Sequence, residues 1–335
     1  MDLDSAASAH SPSSRKIEVT TEHVVCAVCR ADAPRPYRTA MYRIGDVRFD
    51  LVRCSKCSLV YVNPRPTSAT LGALYDDPEY YTHGYNLGVE TENYFTRKGE
   101  LIAQYETTIA EYERETNTKA GDLFELGSAG GFFLEAGRRR GWRVKGVELS
   151  EPAARYSVHE FGLDIHRGLL DTAPYASATF DMALADNVLE HTLRPDEVLA
   201  RLKDILRPGG HLIVIVPAYV NSAWFRGFQS MRALLPRRLL GRHVLALLKF
   251  EGDDAGAPYH ILEFDRATLT RLVREAGFEI VKTENSVPLP AELFKDPRPT
   301  LRKRFLRVAF RSLDRLMRMG LVPGARVRIV ARRPR

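Results

Sequence analysis

From Gly121 onward the apolar positions follow two alternating rhythms. Short apolar runs ("DLFEL", "RVKGVEL", "LDIHR", "FDMALA", "HLIVIV", "FEIVKTE" and "ARVRIVAR") are separated by stretches with helical spacing. In "RPDEVLARLKDIL" the residues Val198, Leu199, Leu202, Ile205 and Leu206 recur at helical intervals before "RPGG" ends the pattern. "HLIVIV" is apolar without alternation, as a strand covered on both faces should be. Ser150 stands where it can cap the helix after the second strand, with Pro152 in its first turn. Strands alternating with helices predict an α/β fold: a doubly wound, mostly parallel sheet with helices on both faces.

Before Gly121 the pattern differs. Residues 1–22 are small and polar and predict disorder. Residues 23–66 alternate as a hairpin across "YRTAMYRIGDVRFDLVR", and Pro64 and Pro66 stop the strand that follows. Residues 67–118 form a helical lead-in, with a helix over 98–116 carrying Leu101, Ile102, Tyr105, Ile109 and Tyr112. The α/β region is then 119–335. It is interrupted at 219–258 by an insert that, from Tyr219 to Phe250, has six Lys/Arg and no acid. Between 300 and 319, Arg304, Arg307, Arg311, Arg315 and Arg318 make one stripe of a helix, and Phe305, Ala309, Leu313, Leu316 and Met317 an apolar face.

Charge sharpens this division. The net charge is +7, yet Lys295–Arg335 alone holds fourteen Lys/Arg against two Asp, or +12, which leaves −5 elsewhere. A basic end suits an anionic substrate or surface, here peripheral contact with an anionic membrane through the helix at 300–319. The opening residues have no apolar signal core and the longest apolar runs are too short to span a bilayer, so a cytoplasmic protein is expected. Oligomeric state is not legible.

All four cysteines fall in two C-x-x-C pairs, Cys26/Cys29 and Cys54/Cys57. In a cytosolic chain such pairs predict one tetrahedral Cys₄ zinc site over redox or unpaired thiols. A site with four protein ligands has no open position, so the metal would be structural.

The chemistry-bearing turn is "FELGSAGGFF". No Gly-Lys-Ser/Thr follows it, and Ala129 breaks the G-x-G-x-x-G fingerprint of dinucleotide sites. What remains is a Gly-rich turn between a strand and a helix, with Glu148 ending the next strand at the place of a ribose-binding acid. Spacing alone leaves open an adenosine ligand or a close-packed turn with a surface Glu.

"FELGSAGGFFLEAGRRRGWRVKGVELS", "FDMALADNVLEHTLRPDEVLARLKDILRPGGHLIVIVP" and "YHILEFDRATLTRLVREAGFEIV" together resemble the class I S-adenosylmethionine-dependent methyltransferases, in order over about 120–285. "VRCSKCSLVYVNPRP" and "LYDDPEYY" are similar to a zinc-knuckle module joined to bacterial methyltransferases of sugars and other small molecules, with Ser58 where glycine is usual. The resemblance implies a seven-stranded Rossmann-like sheet that binds S-adenosylmethionine. It places Glu125, Gly127, Ser128, Ala129, Gly130 and Gly131 at the methionine part, with Ala129 replacing the family's middle glycine. It places Glu148 and Leu149 at the ribose, Asp171 by the adenine, Asp186 and Asn187 facing the cofactor, and Tyr80 and Tyr81 as a roof.

Methyl transfer to a hydroxyl or an acidic C–H benefits from a base. His191 in "VLEHT" and His260 in "PYHILEF" are the candidates, against packing or capping roles; Glu190 reads as structural. The basic, apolar insert suits an acceptor with a phosphate and a greasy portion: a sugar nucleotide, a lipid-linked glycan or a natural-product ring, methylated on O or C. The alternatives are an RNA methyltransferase using ribbon and tail, and a catalytically silent binding module. The mixed charge of 23–66 argues against nucleic acid, and the intact Glu125/Gly127/Gly131/Glu148 set argues against the silent module.

Overall fold

A computed structural model describes residues 18–75, 94–218, 220, 256–286, 299–322 and 324–335. Tyr80, Tyr81 and nearly all of the insert at 219–258 lie outside the described residues.

The first described segment corrects one expectation. Within the stretch expected to be disordered, β1 (Thr21–Glu22) pairs with β5 (Arg65–Pro66). Thr20 donates its N–H to Thr70 Oγ1 at 3.0 Å, and Glu22 takes the Arg65 guanidinium at 2.9 Å. Polar residues are tied down here by side-chain hydrogen bonds that a hydrophobicity pattern does not register.

The expected hairpin is β2 (Pro34–Ile44) and β3 (Val47–Cys54), turning at Gly45 with φ +56°. β4 (Val60–Val62) extends it. The fourth strand of this sheet comes from far along the chain: β11 (Leu262–Glu263) pairs antiparallel with β4, Leu262 opposite Tyr61. Helix α1 (Ser68–Tyr75) then leaves the sheet, and α2 (Lys98–Thr116) buries Ile102, Ile109 and Tyr112 as its spacing predicts.

The main sheet has seven strands in the order β12-β13-β10-β9-β6-β7-β8. These are β6 (Asp122–Leu126), β7 (Arg143–Glu148), β8 (Asp164–Arg167), β9 (Phe180–Asp186), β10 (Leu206–Pro217), β12 (Glu279–Ser286) and β13 (Arg326–Arg332). The pairs from β10 through β8 are parallel, and β13 runs antiparallel to both β10 and β12. The connecting helices are α3 (Phe132–Arg139), α4 (Glu151–Phe161), α5 (Pro195–Ile205), α6 (Arg266–Glu275) and α7 (Leu301–Arg318). Asp265 closes α6 with a capping box to Thr268, and Thr300 caps α7. Ser150 occupies the N-cap position of α4 but makes no side-chain cap bond. Strand order reverses at β6, whose neighbours are β7 and β9, so the turns after β6 and β9 meet at one edge, where such sheets bind ligands.

One apolar core runs from the small sheet into the large one, including Cys26, Phe49 and Tyr61 as well as Phe124, Leu202 and Val214. Arg65 donates to the Leu193 carbonyl at 3.0 Å, Tyr37 to that of Val220 at 3.0 Å, and Arg30 pairs with Asp196.

Candidate active site and cysteine cluster

The turn after β6 alternates its backbone: Gly127, Ala129 and Gly131 have φ of +71°, +46° and +76°. Glycine is free at such angles, whereas an L-residue is strained, so Ala129 holds the middle position against a steric cost. The outer glycines are also required by packing. A Cβ at Gly127 would lie 2.6 Å from Val188 Cγ2, and one at Gly131 would lie 2.8 Å from Ser157 Cβ. Gly127 thus lets the turns after β6 and β9 approach closely, and Gly131 lets the same turn pack against α4.

Glu148 braces this turn. Its Oε2 accepts from Ala129 N and its Oε1 from Ser150 N, both at 2.8 Å. Glu125 is buried, and its Oε2 has no hydrogen-bond partner among the described residues. Burial, reinforced by the charges of Asp186 and Glu148, raises its carboxyl well above the usual range. Asp186 accepts from Arg326 Nη2 at 2.9 and 3.0 Å. Asn187 is exposed and takes φ +53°, and its N–H donates to the Ile215 carbonyl. Glu148 and Asp186 thus bring two acids to this edge, with the Glu125 carboxyl buried behind them.

Beside them, Gly72, Leu149, Arg167 and Gly168 line a cavity of about 330 Å³. Leu149 is half-exposed towards it, with Gly72 supplied by α1. Asp171 is exposed and does not line this cavity. Ser128 is buried, with its hydroxyl unpartnered among the described residues.

The second cluster surrounds the short 3₁₀ turn Leu189–His191 that follows β9. His191 Nδ1 lies 2.8 Å from the Tyr259 carbonyl oxygen and 2.8 Å from the Tyr75 hydroxyl. A carbonyl only accepts, so the neutral ring carries its proton on Nδ1 and its lone pair on Nε2. Burial lowers the His191 pKa to about 4. Its ring meets that of His260 edge to face, with centroids 4.7 Å apart. Glu190 is fully buried, with both carboxylate oxygens unpartnered among the described residues, and burial keeps its carboxyl well above the usual range. Its Oε1 lies 3.7 Å from His191 Nε2. One ligand atom from each of Glu190, His191 and His260 falls within 4.8 Å of the others, a spacing that a cation could also bridge.

In the N-terminal sheet the two C-x-x-C pairs converge, with all four Sγ atoms within 4.8 Å. Cys26 and Cys57 sulfurs are 3.4 Å apart, and Cys29 and Cys54 sulfurs 3.5 Å, far beyond disulfide length. In each knuckle the first cysteine's carbonyl accepts from the residue four further on, Arg30 or Ser58, at φ +59° and +68°. That left-handed angle explains why glycine is usual where Ser58 stands. Without a cation, burial pushes the Cys26 thiol up to about 11. Four crowded sulfurs fit a tetrahedral zinc ion, which would hold them as thiolates.

A sequence profile of methyltransferase domains matches residues 97–283, more than half of the chain. The chain belongs to this methyltransferase family. Its seven-stranded sheet is the Rossmann-like methyltransferase sheet, and S-adenosylmethionine, with its cationic sulfonium and ammonium, fits the acid-rimmed turn. A probable S-adenosylmethionine-dependent methyltransferase of Mycolicibacterium smegmatis is 25% identical over 198 residues, covering 58% of this chain and 63% of its own. A ubiquinone biosynthesis O-methyltransferase of Thiobacillus denitrificans is 30% identical over 166 residues, with coverage of 47% and 64%. The chain therefore spans less than two thirds of the length of these curated relatives. A solved S-adenosylmethionine-dependent methyltransferase of Archaeoglobus fulgidus is 15% identical, covers 72% of this chain and all of its own, and has a TM-score of 0.45.

Two participants were missed by the sequence pattern. Tyr75 ends α1, and only the fold brings it to His191. Arg326 reaches Asp186 from the antiparallel strand β13. The available signal was the strand's alternation: Val327, Ile329 and Ala331 are buried, while Arg326, Arg328 and Arg332 share the other face.

Proposed function

We propose that this protein transfers the methyl group of S-adenosylmethionine to a hydroxyl of a small-molecule or glycan acceptor, and that His191 Nε2 receives the hydrogen bond of that hydroxyl. The observation that carries this is the fixed tautomer: Nδ1–H is held by the Tyr259 carbonyl, which leaves the lone pair on Nε2, and Val188 of the same loop packs against Gly127 of the glycine turn. With its pKa depressed to about 4, His191 is neutral throughout the physiological range, so it accepts the hydroxyl's hydrogen bond, takes the proton as the oxygen is methylated and, as a weak base, passes it on to solvent. S-adenosylmethionine bound at the Gly127–Gly131 turn supplies a methyl group activated by the sulfonium. The chain's task is alignment. Glu125, Ser128 and Asp186 would face the methionine part, with Asn187 beside them. Glu148 would take the ribose hydroxyls, and Leu149 with Gly168 the adenine. Relatives named as O-methyltransferases support oxygen as the methylated atom. We assign the four cysteines to a structural zinc ion.

Transfer to RNA is less well supported. Much of the basic end serves internal pairs, with Arg326 on Asp186, Arg328 on Glu115 and Glu284, and Arg332 on Glu279.

The test is transfer from methyl-labelled S-adenosylmethionine to a panel of phenolic rings, nucleotide sugars and mixed RNA, with wild type and His191→Gln. A hydroxyl acceptor should be labelled. The variant should lose on the order of 10²- to 10⁴-fold in kcat and bind S-adenosylmethionine as wild type does. Wild-type turnover by His191→Gln overturns the assignment.

A further inference from the structure

We infer that α7 docks the protein on the headgroup surface of an anionic lipid bilayer. The apolar arc of this helix is wider than the sheet beneath it can cover. Phe310 and Met317 are buried, with Leu306, Leu313 and Val322 packed around them, and the helix lies on β12. Leu313 and Met317, expected on the outward apolar face, therefore point inward. A second apolar row faces out: Leu301, Phe305 and Val308 are 83%, 72% and 63% exposed, and Met319 continues the row. At about 3.6 residues per turn these positions fall on one side of the helix, next to the stripe of Arg304, Arg311 and Arg315. Leu321, just past the helix, is also largely exposed.

The charges of α7 differ from those of β13. In β13 the arginines face Asp186, Glu115, Glu284 and Glu279 of the protein itself. In α7 the helix supplies one acid, Asp314, which takes Arg318 at 2.7 Å. Arg304 and Arg315 are exposed. Adjacent exposed apolar and cationic rows match the boundary of an anionic bilayer, where acyl chains lie just beneath negative headgroups. An RNA partner would use the arginines but leave Phe305 and Val308 in water. No described helix is long and apolar enough to cross a membrane, so the contact is peripheral.

The experiment is flotation of the full chain with vesicles of phosphatidylcholine alone or mixed with phosphatidylglycerol, at low and high salt. Wild type should float with the phosphatidylglycerol vesicles, stay behind with phosphatidylcholine, and be released by salt. Arg304→Glu with Arg315→Glu should lower partitioning by on the order of a hundredfold or more. Phe305→Ser with Val308→Ser changes no charge and should still lower recovery severalfold. All these side chains are exposed, so the variants should melt and bind S-adenosylmethionine as wild type does. Equal recovery on both vesicle types overturns the inference. So does unchanged flotation of either folded variant, or capture by mixed RNA that is lost in the arginine variant while neither vesicle is bound.

Discussion

The proposed cofactor turn after β6 and the proposed acceptor wall around His191 stand on the same sheet edge, where Val188 packs on Gly127, yet they are built in opposite ways. The turn is local: Glu125 to Ser150 is one strand–turn–helix–strand passage, and Glu148 closes it through bonds to Ala129 N and Ser150 N. The wall is assembled from four distant pieces. Tyr75 comes from the lead-in helix, His191 from the turn after β9, and Tyr259 and His260 from the segment before β11. Its fourth piece is the cysteine-bearing sheet, since Val62 N donates to the Ile261 carbonyl and Ile261 N to that of Glu190, each at 3.0 Å. A locally built site can keep its ligand while a long-range one fails.

The largest effect expected is from Cys54→Ser. Structural zinc sites of this kind contribute on the order of 10 kcal/mol to folding, so losing one ligand should unfold the small sheet and release its metal. Turnover should vanish while S-adenosylmethionine still binds by calorimetry. Elemental analysis should find one zinc in wild type and none in the variant. A folded variant with intact turnover breaks the comparison, and one equivalent retained by the variant points to Glu190, His191 and His260 as a metal site.

Glu148→Ala probes the other half. Removing a charged acceptor is worth roughly 1.5–3 kcal/mol, or about tenfold to over a hundredfold in affinity. S-adenosylmethionine and its demethylated product should weaken alike, because the ribose is common to both. Zinc content should not change. Unchanged affinity would remove Glu148 from the ribose.

A smaller, pH-dependent effect tests the seam. Tyr42 of β2 donates to Glu263 Oε1 of β11 at 2.9 Å, and burial raises the Glu263 carboxyl to about 8. The folded protein holds this proton more tightly than the unfolded chain does. The contribution is therefore full below pH ~4.5 and is lost as pH rises through about 8. Wild-type melting temperature should fall across that window, and Glu263→Gln should flatten the fall. Parallel curves would mean that the pair does not govern it.

The smallest effect is expected at Ala129. Relieving its left-handed strain with Ala129→Gly should raise stability by at most ~1 kcal/mol and leave cofactor affinity intact, as a thermal melt would show. A loss of stability would show that the methyl packs more than it strains.

This contrast also explains what was legible in the sequence. The seven strands, the cysteine cluster and the glycine turn each depend on residues close in the chain or on a chemistry that four identical residues announce. Glu148 could be placed by counting from Gly131, and His191 by its position after β9. That Glu148 braces its own turn was not visible, because its partners are backbone N–H groups. Tyr75 was hidden because 116 residues separate it from His191. The outward row of α7 was hidden because periodicity cannot say how much of an apolar arc the neighbouring sheet will cover.

The pairing of β4 with β11 also bears on how the chain matures. Tyr61 and its partner Leu262 are separated by about two hundred residues. At the usual ribosomal pace of ~5–20 residues per second, the cysteine-bearing hairpin waits on the order of 10–40 seconds for its last strand. During that time its open edge is a template for other chains, and a metal ion gripping Cys26, Cys29, Cys54 and Cys57 early would hold the hairpin in register. Availability of zinc during synthesis, more than its removal from the finished protein, should then determine how much of the product reaches the native state.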